Sequence, residues 1–508
     1  MAKFLLSKIK KIEADPNTLM SLDQADETLC YKRLNKLKNL AESPRYQQSR
    51  VISEGAAQNY SDAQLSKKVG IPFLFANLAK SFPPTPVLSK ATDFYVYDVD
   101  GNEYIDFSNS LSNNYFGYLN QHQELKQAIE SVDTGAIMAN YSSQTHELTE
   151  KLKSFSKKDL VSLHMSGTEA VMQACSLARY NTGKEKIVTF TGSYHGWWDG
   201  VQAGVGSTRK NTDSIMLEQE TPRTLRVLNS RNDIAAVLVN PLHFLFPNIT
   251  PPLDSATFGK RITPPITETR FKEYQSWLLE LQAMCEKKNI ALIFDEVYMG
   301  HRLGWGGAQE YFKVKADIAV YGKSFGCGLP IGIVCAEEKF GKRIHDQFPF
   351  KFLMARGTFQ GNPYVVAAAL KAIHYLETQT SVEKFQAQQS LYKEIAQKWN
   401  QAFKENSIPL SVSHFESIFT FNFLENSLYN WLLAYFLRDA GIYVSTIPGL
   451  ARVALPLNFN HEIADQSLER IVQAAQQMKV SGFWGLNNVV QKRTIVRLCV
   501  KSFLRPSV

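Results

Sequence analysis

Apolar residues gather in two kinds of run along this chain. Residues 290–294 (IALIF) and 318–321 (IAVY) are short, β-branched or aromatic, and almost free of polar alternation, which predicts strands buried on both faces of a parallel sheet. Residues 187–190 and 235–239 have the same character. At 165–180 and 271–288 apolar positions recur instead at helical spacing. Strand and helix in alternation predict an α/β fold with a mainly parallel sheet flanked by helices. Residues 94–107 differ, alternating with period two around Asp100-Gly101, which predicts an antiparallel hairpin. That hairpin and a helix at 123–129 make residues 71–160 the first part of a smaller α+β lobe. Residues 161–375 form the large domain, and 376–480, with an alternating strand at 417–423, return to the small lobe. Residues 1–70 read as a helical arm packed on the main body or on a second subunit, and 247–267, rich in Pro and Thr, as an irregular excursion over the site.

Composition changes this picture little. A chain of 508 residues, 44% hydrophobic and 20% charged, has the make-up of a globular enzyme with more than one domain. Its formal charge of +8 is spread along the sequence, and no nucleic-acid-reading motif accompanies it, so nucleic acid is not indicated as a partner. Cys30, Cys175, Cys285, Cys327, Cys335 and Cys499 are scattered without C-x-x-C spacing; they read as reduced core residues of a cytoplasmic protein and supply no metal site. No stretch approaches the length of a membrane span, and the first apolar run is too short for a secretory signal. Residues 481–508 contain Lys492, Arg493, Arg497, Lys501 and Arg505 and no acidic residue. This basic amphipathic tail suits packing on its own domain better than contact with a membrane surface or an acidic protein.

The candidate chemistry lies where the buried strands stop. Such sheets display function at the carboxyl ends of their strands, and the two strongest runs close on Asp295 and Lys323. A lysine at a strand end, partly desolvated and followed by a glycine-rich turn, lowers its pKa and attacks a carbonyl carbon to form a Schiff base. A carboxylate one strand away suits a pyridinium nitrogen, and this pairing is how proteins hold pyridoxal phosphate as an electron sink. Taken singly, an aspartate in that place caps the next turn and a lysine is merely solvated. Gly322-Lys323-Ser324 also looks like the end of a phosphate-binding P-loop, but G-x-x-x-x-G-K-[ST] requires glycine where the chain has Asp317. Ser166, Gly167 and Thr168 open a helix with Glu169 in its first turn; such a start either binds an anion or is an ordinary N-cap. Tyr194, with His195 beside it, follows the strand at 187–190. An aromatic residue there stacks on a flat ring that Gly196 allows to approach, or packs in the core.

Six motifs occur in one order: Ser166-Gly167-Thr168-Glu169-Ala170, Tyr194-His195-Gly196, Asp295-Glu296-Val297, Gly322-Lys323, Gly328-Leu329-Pro330-Ile331-Gly332 and Gly357-Thr358-Phe359-Gln360-Gly361-Asn362-Pro363. Over roughly residues 85–480 the chain resembles the class III aminotransferases, most closely their glutamate-1-semialdehyde aminomutase-like branch. Within that branch, Glu169-Ala170-Val171-Met172 and Gly306-Gly307-Ala308-Gln309 are similar to the amino-transferring domains of polyketide and peptide synthases. The resemblance implies a fold-type I, pyridoxal-phosphate-dependent homodimer whose large domain, 161–375, binds the cofactor. It implies that Lys323 holds the cofactor and carries the proton between substrate and cofactor, and that Asp295 keeps the ring nitrogen protonated. It further implies that Ser166, Gly167 and Thr168 bind the phosphate, that Tyr194 stacks on the ring with His195 alongside, and that Thr358 reaches the phosphate of the neighbouring subunit.

The chain departs from the family's pattern at Asn240-Pro241, where relatives have Glu-Pro, at the bulky run 242–246 (LHFLF), and at Cys327, which replaces the second glycine of G-G-G-L-P. These changes favour an apolar substrate channel. An aminomutase would hold its substrate's carboxylate with an arginine of the N-terminal lobe, and none occurs between Val51 and Ala178. Arg452 stands where aminotransferases of the class place the arginine that binds the donor's carboxylate, a role that suits a planar guanidinium; a structural ion pair is the other reading. The expected function is therefore amino transfer from an amino-acid donor to a carbonyl acceptor, a hydrophobic aldehyde or a 3-oxoacyl group, free or borne on an acyl carrier protein. A glutamate-1-semialdehyde-type aminomutase and a non-catalytic descendant of the fold are the alternatives.

Overall fold

The computed structural model describes residues 25–66, 71, 82–138, 140–201, 212–218, 221–245, 263, 266–345, 351–379, 381–425, 427, 429–444 and 452–484. The hairpin expected around Asp100-Gly101 is present, as β2 (Tyr95–Asp98) against β3 (Glu103–Asp106), with β1 (Leu88–Thr92) added on its outer side. The seven-stranded sheet that follows comprises β4 (Leu160–His164), β5 (Lys186–Phe190), β6 (Ser214–Leu217), β7 (Ile234–Val239), β8 (Ala291–Asp295), β9 (Ile318–Gly322) and β10 (Gly332–Ala336), in the spatial order β4-β10-β9-β8-β7-β5-β6. Neighbours from β9 to β6 run parallel, whereas β10 runs antiparallel to both β9 and β4.

Every residue of β7, β8, β9 and β10 is buried, as their unbroken apolar runs require. The Gly167–Thr182 helix covers one face, where Ala170, Ala174 and Leu177 join Ile293 and Val320. The Glu268–Lys288 helix covers the other, where Tyr274, Leu278 and Leu281 join Leu292 and Phe294. Each large apolar side chain buried in this way contributes about 1.5–3 kcal/mol. That sum lets β8 close on two buried carboxylates, Asp295 and Glu296, each of which costs several kcal/mol to desolvate.

Beyond the sheet lie β11 (Ile344–His345), β12 (Lys351–Phe352), β13 (Leu410–Phe415), β14 (Ile418–Phe423), β15 (Ile442–Tyr443) and β16 (Val453–Ala454). β15 joins the hairpin sheet beside β3, and β13, β14 and β16 form a sheet of their own. Alternation at 417–423 would leave one face of β14 wet, yet all six of its residues are buried. Phe419, Phe421 and Phe423 enter a core with Trp399 and Phe403. On the opposite side Ile418 joins the core beside the Glu268–Lys288 helix, and Asn422 accepts a hydrogen bond from the Thr263 N–H at 2.8 Å and donates to Ser413 Oγ at 2.9 Å. The Glu27–Ala41 helix packs Cys30, Leu37 and Leu40 on the same core, and Arg33 Nε donates to the Gly482 carbonyl at 2.8 Å.

Residues 1–24, the tail beyond Trp484, and the 247–267 excursion apart from Thr263, Ile266 and Thr267 lie outside the described residues. Among the described residues no helix is long and apolar enough to cross a membrane, and the five cysteines that fall among them are buried.

Candidate active site

Because β8 and β9 lie side by side and parallel, with Asp295 opposite Val320, Asp295 and the turn that begins at Lys323 emerge at the same end of the sheet. Both carboxylate oxygens of Asp295 are fixed. Oδ1 accepts from the Val297 N–H at 3.1 Å, and Oδ2 lies 2.8 Å from Nδ1 of the buried His195. Lys323 adopts φ 52°, a left-handed backbone that costs a side-chain-bearing residue about 1–3 kcal/mol and is typical of functional sites. Its Nζ stands 5.9 Å from the centre of the Tyr298 ring. Burial lowers the pKa of this amine; Asp295 opposes the shift and the nearby Arg302 adds to it.

The start of the Gly167–Thr182 helix meets the same place. Ser166 is its N-cap, its Oγ accepting from the Glu169 N–H at 3.2 Å, while the first N–H groups of any helix lack an intrahelical acceptor. Here those groups belong to Gly167 and Thr168. Packing around them is tight: a Cβ on Gly332 would fall 2.0 Å from the Ser166 carbonyl oxygen, and one on Gly196, at φ +90°, would fall 2.5 Å from Thr168 Oγ1. Tyr194, two residues before that glycine, remains 43% exposed and free to cover a ligand. The donor set fits pyridoxal phosphate: an anion-seeking helix start, a doubly held carboxylate, a desolvated amine and an open aromatic ring.

Arg452 also reaches this place. Its guanidinium carbon lies 5.8 Å from the centre of the Tyr298 ring, and burial lowers its pKa to about 10. Thr358, in contrast, is exposed on a separate loop. Of the bulky run at 242–246, Leu242 and Leu245 are buried in the core beside the Glu268–Lys288 helix and Phe244 stacks on Tyr274 with ring centres 5.3 Å apart, so these three do not supply the apolar channel expected of the run; Phe246 lies outside the described residues.

Three features escaped sequence reasoning. Arg302 is buried, donating from Nε to Ser112 Oγ at 3.0 Å and from Nη1 to Ser417 Oγ at 2.9 Å and the Leu455 carbonyl at 2.7 Å. Asn109, Ser110, Leu111 and Ser112 form a left-handed turn, with φ of 46°, 48°, 56° and 75°. Asp106 ties this turn down, its Oδ1 accepting from the Ser108 and Asn109 N–H groups at 2.8 and 3.0 Å. Ser112 Oγ lies 3.3 Å from the Tyr298 carbonyl.

The third feature is Glu296, whose Oε2 accepts from the Ala308 N–H at 2.6 Å and whose carboxyl burial pushes up to about 8. The unfolded chain releases that proton near 4.5 and the folded chain only near 8, so the native state binds more protons in between and stability falls as pH rises through that window. Glu296→Gln keeps the acceptor and removes the titration. It is expected to remove a falling contribution from the pH dependence of the urea-unfolding free energy between pH 4.5 and 8; Asp106 and Asp317, both raised to about 6 by burial, add to that fall, while His164 and His243, lowered to about 4, oppose it below pH 6.5. An unchanged slope would assign the dependence to other groups.

Sheet order, strand-end lysine and aspartate, and helix-start anion site together define an enzyme of the fold-type I pyridoxal-phosphate class. The class-III aminotransferase profile matches residues 78–244 and 268–475. A glutamate-1-semialdehyde 2,1-aminomutase of Methanocaldococcus jannaschii is 31% identical over 375 residues, covering 70% of this chain and 80% of the relative. One from Methanococcus maripaludis is 31% identical over 343 residues, 63% of this chain and 74% of the relative. In fold, the β-phenylalanine aminotransferase of Variovorax paradoxus is similar at 21% identity and a TM-score of 0.67, with 90% of this chain and 99% of that one aligned. A glutamate-1-semialdehyde aminomutase of Pseudomonas aeruginosa PAO1 is similar at 17% identity and a TM-score of 0.67, with 89% and 98% aligned. The chain belongs to the class III aminotransferase family, and pyridoxal 5'-phosphate is its cofactor. Enzymes of the class use amino and carbonyl substrates and are generally homodimers.

Proposed function

We propose that this enzyme moves the amino group of a glutamate-like or alanine-like donor to a separate hydrophobic aldehyde or 3-oxoacyl acceptor, free or borne on an acyl carrier protein. The observation that carries this reading is the placement of two cations about one tyrosine, Arg452 at 5.8 Å and Lys323 Nζ at 5.9 Å from the centre of the Tyr298 ring. A donor whose carboxylate pairs with Arg452 would bring its amino carbon towards Lys323. Leu111, 52% exposed on the turn that touches Tyr298, supports an apolar acceptor.

When bound, pyridoxal phosphate supplies the electron sink that stabilises negative charge at the substrate carbon. Asp295, held by His195 and the Val297 N–H, presents its charge to the ring nitrogen and retains a proton there. The N–H groups of Gly167 and Thr168, with the hydroxyls of Ser166 and Thr168, receive the phosphate, and Tyr194 covers the ring. Lys323 takes the proton from the substrate carbon at Nζ and returns it, a transfer suited to an amine whose pKa burial has lowered. Thr358 serves the phosphate site of the partner in a homodimer, so each site draws on both chains.

Half-reactions followed through the cofactor's absorbance test the assignment. Arg452→Ala is expected to slow the donor half-reaction on the order of tenfold to a hundredfold, the worth of a charge-assisted pair, and to spare the acceptor half. Equal loss in both halves would remove Arg452 from that role. The names of the relatives favour a second reading, the internal amine shift of an aminomutase. Efficient conversion of glutamate-1-semialdehyde to 5-aminolevulinate without a donor would establish it.

A further inference from the structure

The loop carrying Thr358 is tied back to the strand that leads into the phosphate site. His164, the last residue of β4 and two residues before Ser166, is buried, with 3% of its surface exposed. Its Nδ1 lies 2.8 Å from Gln360 Nε2 and its Nε2 lies 2.8 Å from Ser162 Oγ. An amide nitrogen only donates, so Nδ1 is the acceptor and Nε2 carries the hydrogen given to Ser162. Arg343 reaches the same hydroxyl, Nη2 donating to Ser162 Oγ at 2.6 Å, while its Nη1 donates to the Ala355 carbonyl at 3.1 Å. Burial and Arg343 pull the imidazole down to about 4, which keeps Nδ1 available as an acceptor at neutral pH.

The loop is thus held on both sides of Thr358, at Ala355 and at Gln360, and both ties converge on Ser162 in β4. Its exit is fixed as well, Asn362 Oδ1 accepting from the Tyr364 N–H at 2.9 Å. Between the ties Thr358 and Phe359 stay exposed, and Thr358 makes no side-chain hydrogen bond among the described residues. A residue that must donate across an interface loses less entropy on binding when its loop is already ordered.

We propose that His164 and Gln360 are positioning residues that clamp the Thr358 loop to β4, so that the strand feeding one subunit's phosphate site also sets the threonine lent to the other. The inference rests on the reading that Thr358 serves the partner's phosphate. It is tested on the holoenzyme dimer by following cofactor release after dilution, from absorbance, with sedimentation velocity as the measure of assembly. Gln360→Leu removes the donor and is expected to speed release about tenfold while the dimer persists. Thr358→Val should do the same, and the double variant should release no faster than Thr358→Val alone, since both changes remove one function. Gln360→Glu should behave as the parent, because its carboxylate accepts from Nδ1–H while the Ser162 hydroxyl donates to Nε2.

Parent-like release from Gln360→Leu beside fast release from Thr358→Val would overturn the clamp alone. So would full additivity in the double variant, or dissociation of the Gln360→Leu dimer at concentrations where the parent stays assembled. Parent-like release from Thr358→Val would overturn the role of Thr358 itself, and the clamp with it.

Discussion

Lys323→Ala is expected to lower turnover by at least about a thousandfold, the upper range for loss of a positioned acid–base group, with no change in the thermal unfolding midpoint. The two expectations have separate grounds. On the proposed role of Lys323, turnover requires the desolvated amine at the end of β9, and among the described residues no other lysine closes a buried strand of the central sheet. Stability is expected not to depend on it, because Lys323 Nζ makes no hydrogen bond or ion pair among the described residues and stands 5.9 Å from the centre of the Tyr298 ring. Borohydride reduction of the parent holoenzyme followed by peptide mapping should place the cofactor on Lys323. A label on another lysine, or turnover in the alanine variant above a hundredth of the parent's, would refute the assignment.

Asp295→Asn is the second large effect. The amide preserves the shape at the end of β8 and the contact with the Val297 N–H, but it carries no charge to hold a proton on a ring nitrogen. Removing a preorganised electrostatic contact of this kind costs roughly a hundredfold to a thousandfold in kcat, and that loss is expected here with cofactor still bound. The buried His195 ring, 2.8 Å from Oδ2, can turn its other tautomer to the amide, so the fold is expected to survive. An asparagine variant with parent-like kcat would show that the charge is not used.

The buried strands were readable because a run such as 290–294 contains nothing that water would hold. The hairpin was readable from Asp100-Gly101 and the helix start from Ser166, since both signals act over three or four residues. What sequence could not give is what distant segments do together. Asn109–Ser112 holds four consecutive left-handed residues and not one glycine, so nothing local announces the turn; Asp106, Tyr298 and Arg302 impose it from outside. β14 is buried on both faces because segments far away in sequence meet it, Ile418 entering the core beside the Glu268–Lys288 helix and Thr263 pairing with Asn422. The bulk at 242–246 suggested a channel, yet its leucines complete the core over β7 and β8. His195 follows a strand as an aromatic residue should, but its hydrogen bond to Asp295 spans 100 positions.

Arg302 bears on how the site comes to exist at all. Its partners Ser112, Leu455 and Ser417 are 190, 153 and 115 positions away, and each such contact closes a long loop whose entropy must be overcome before the hydrogen bond contributes anything. A guanidinium that gathers three remote segments ties the Arg452 side of the site to the closure of long loops, and the hold of His195 on Asp295 across 100 positions ties the other side in the same way, so neither half of the site exists until segments from across the chain have met.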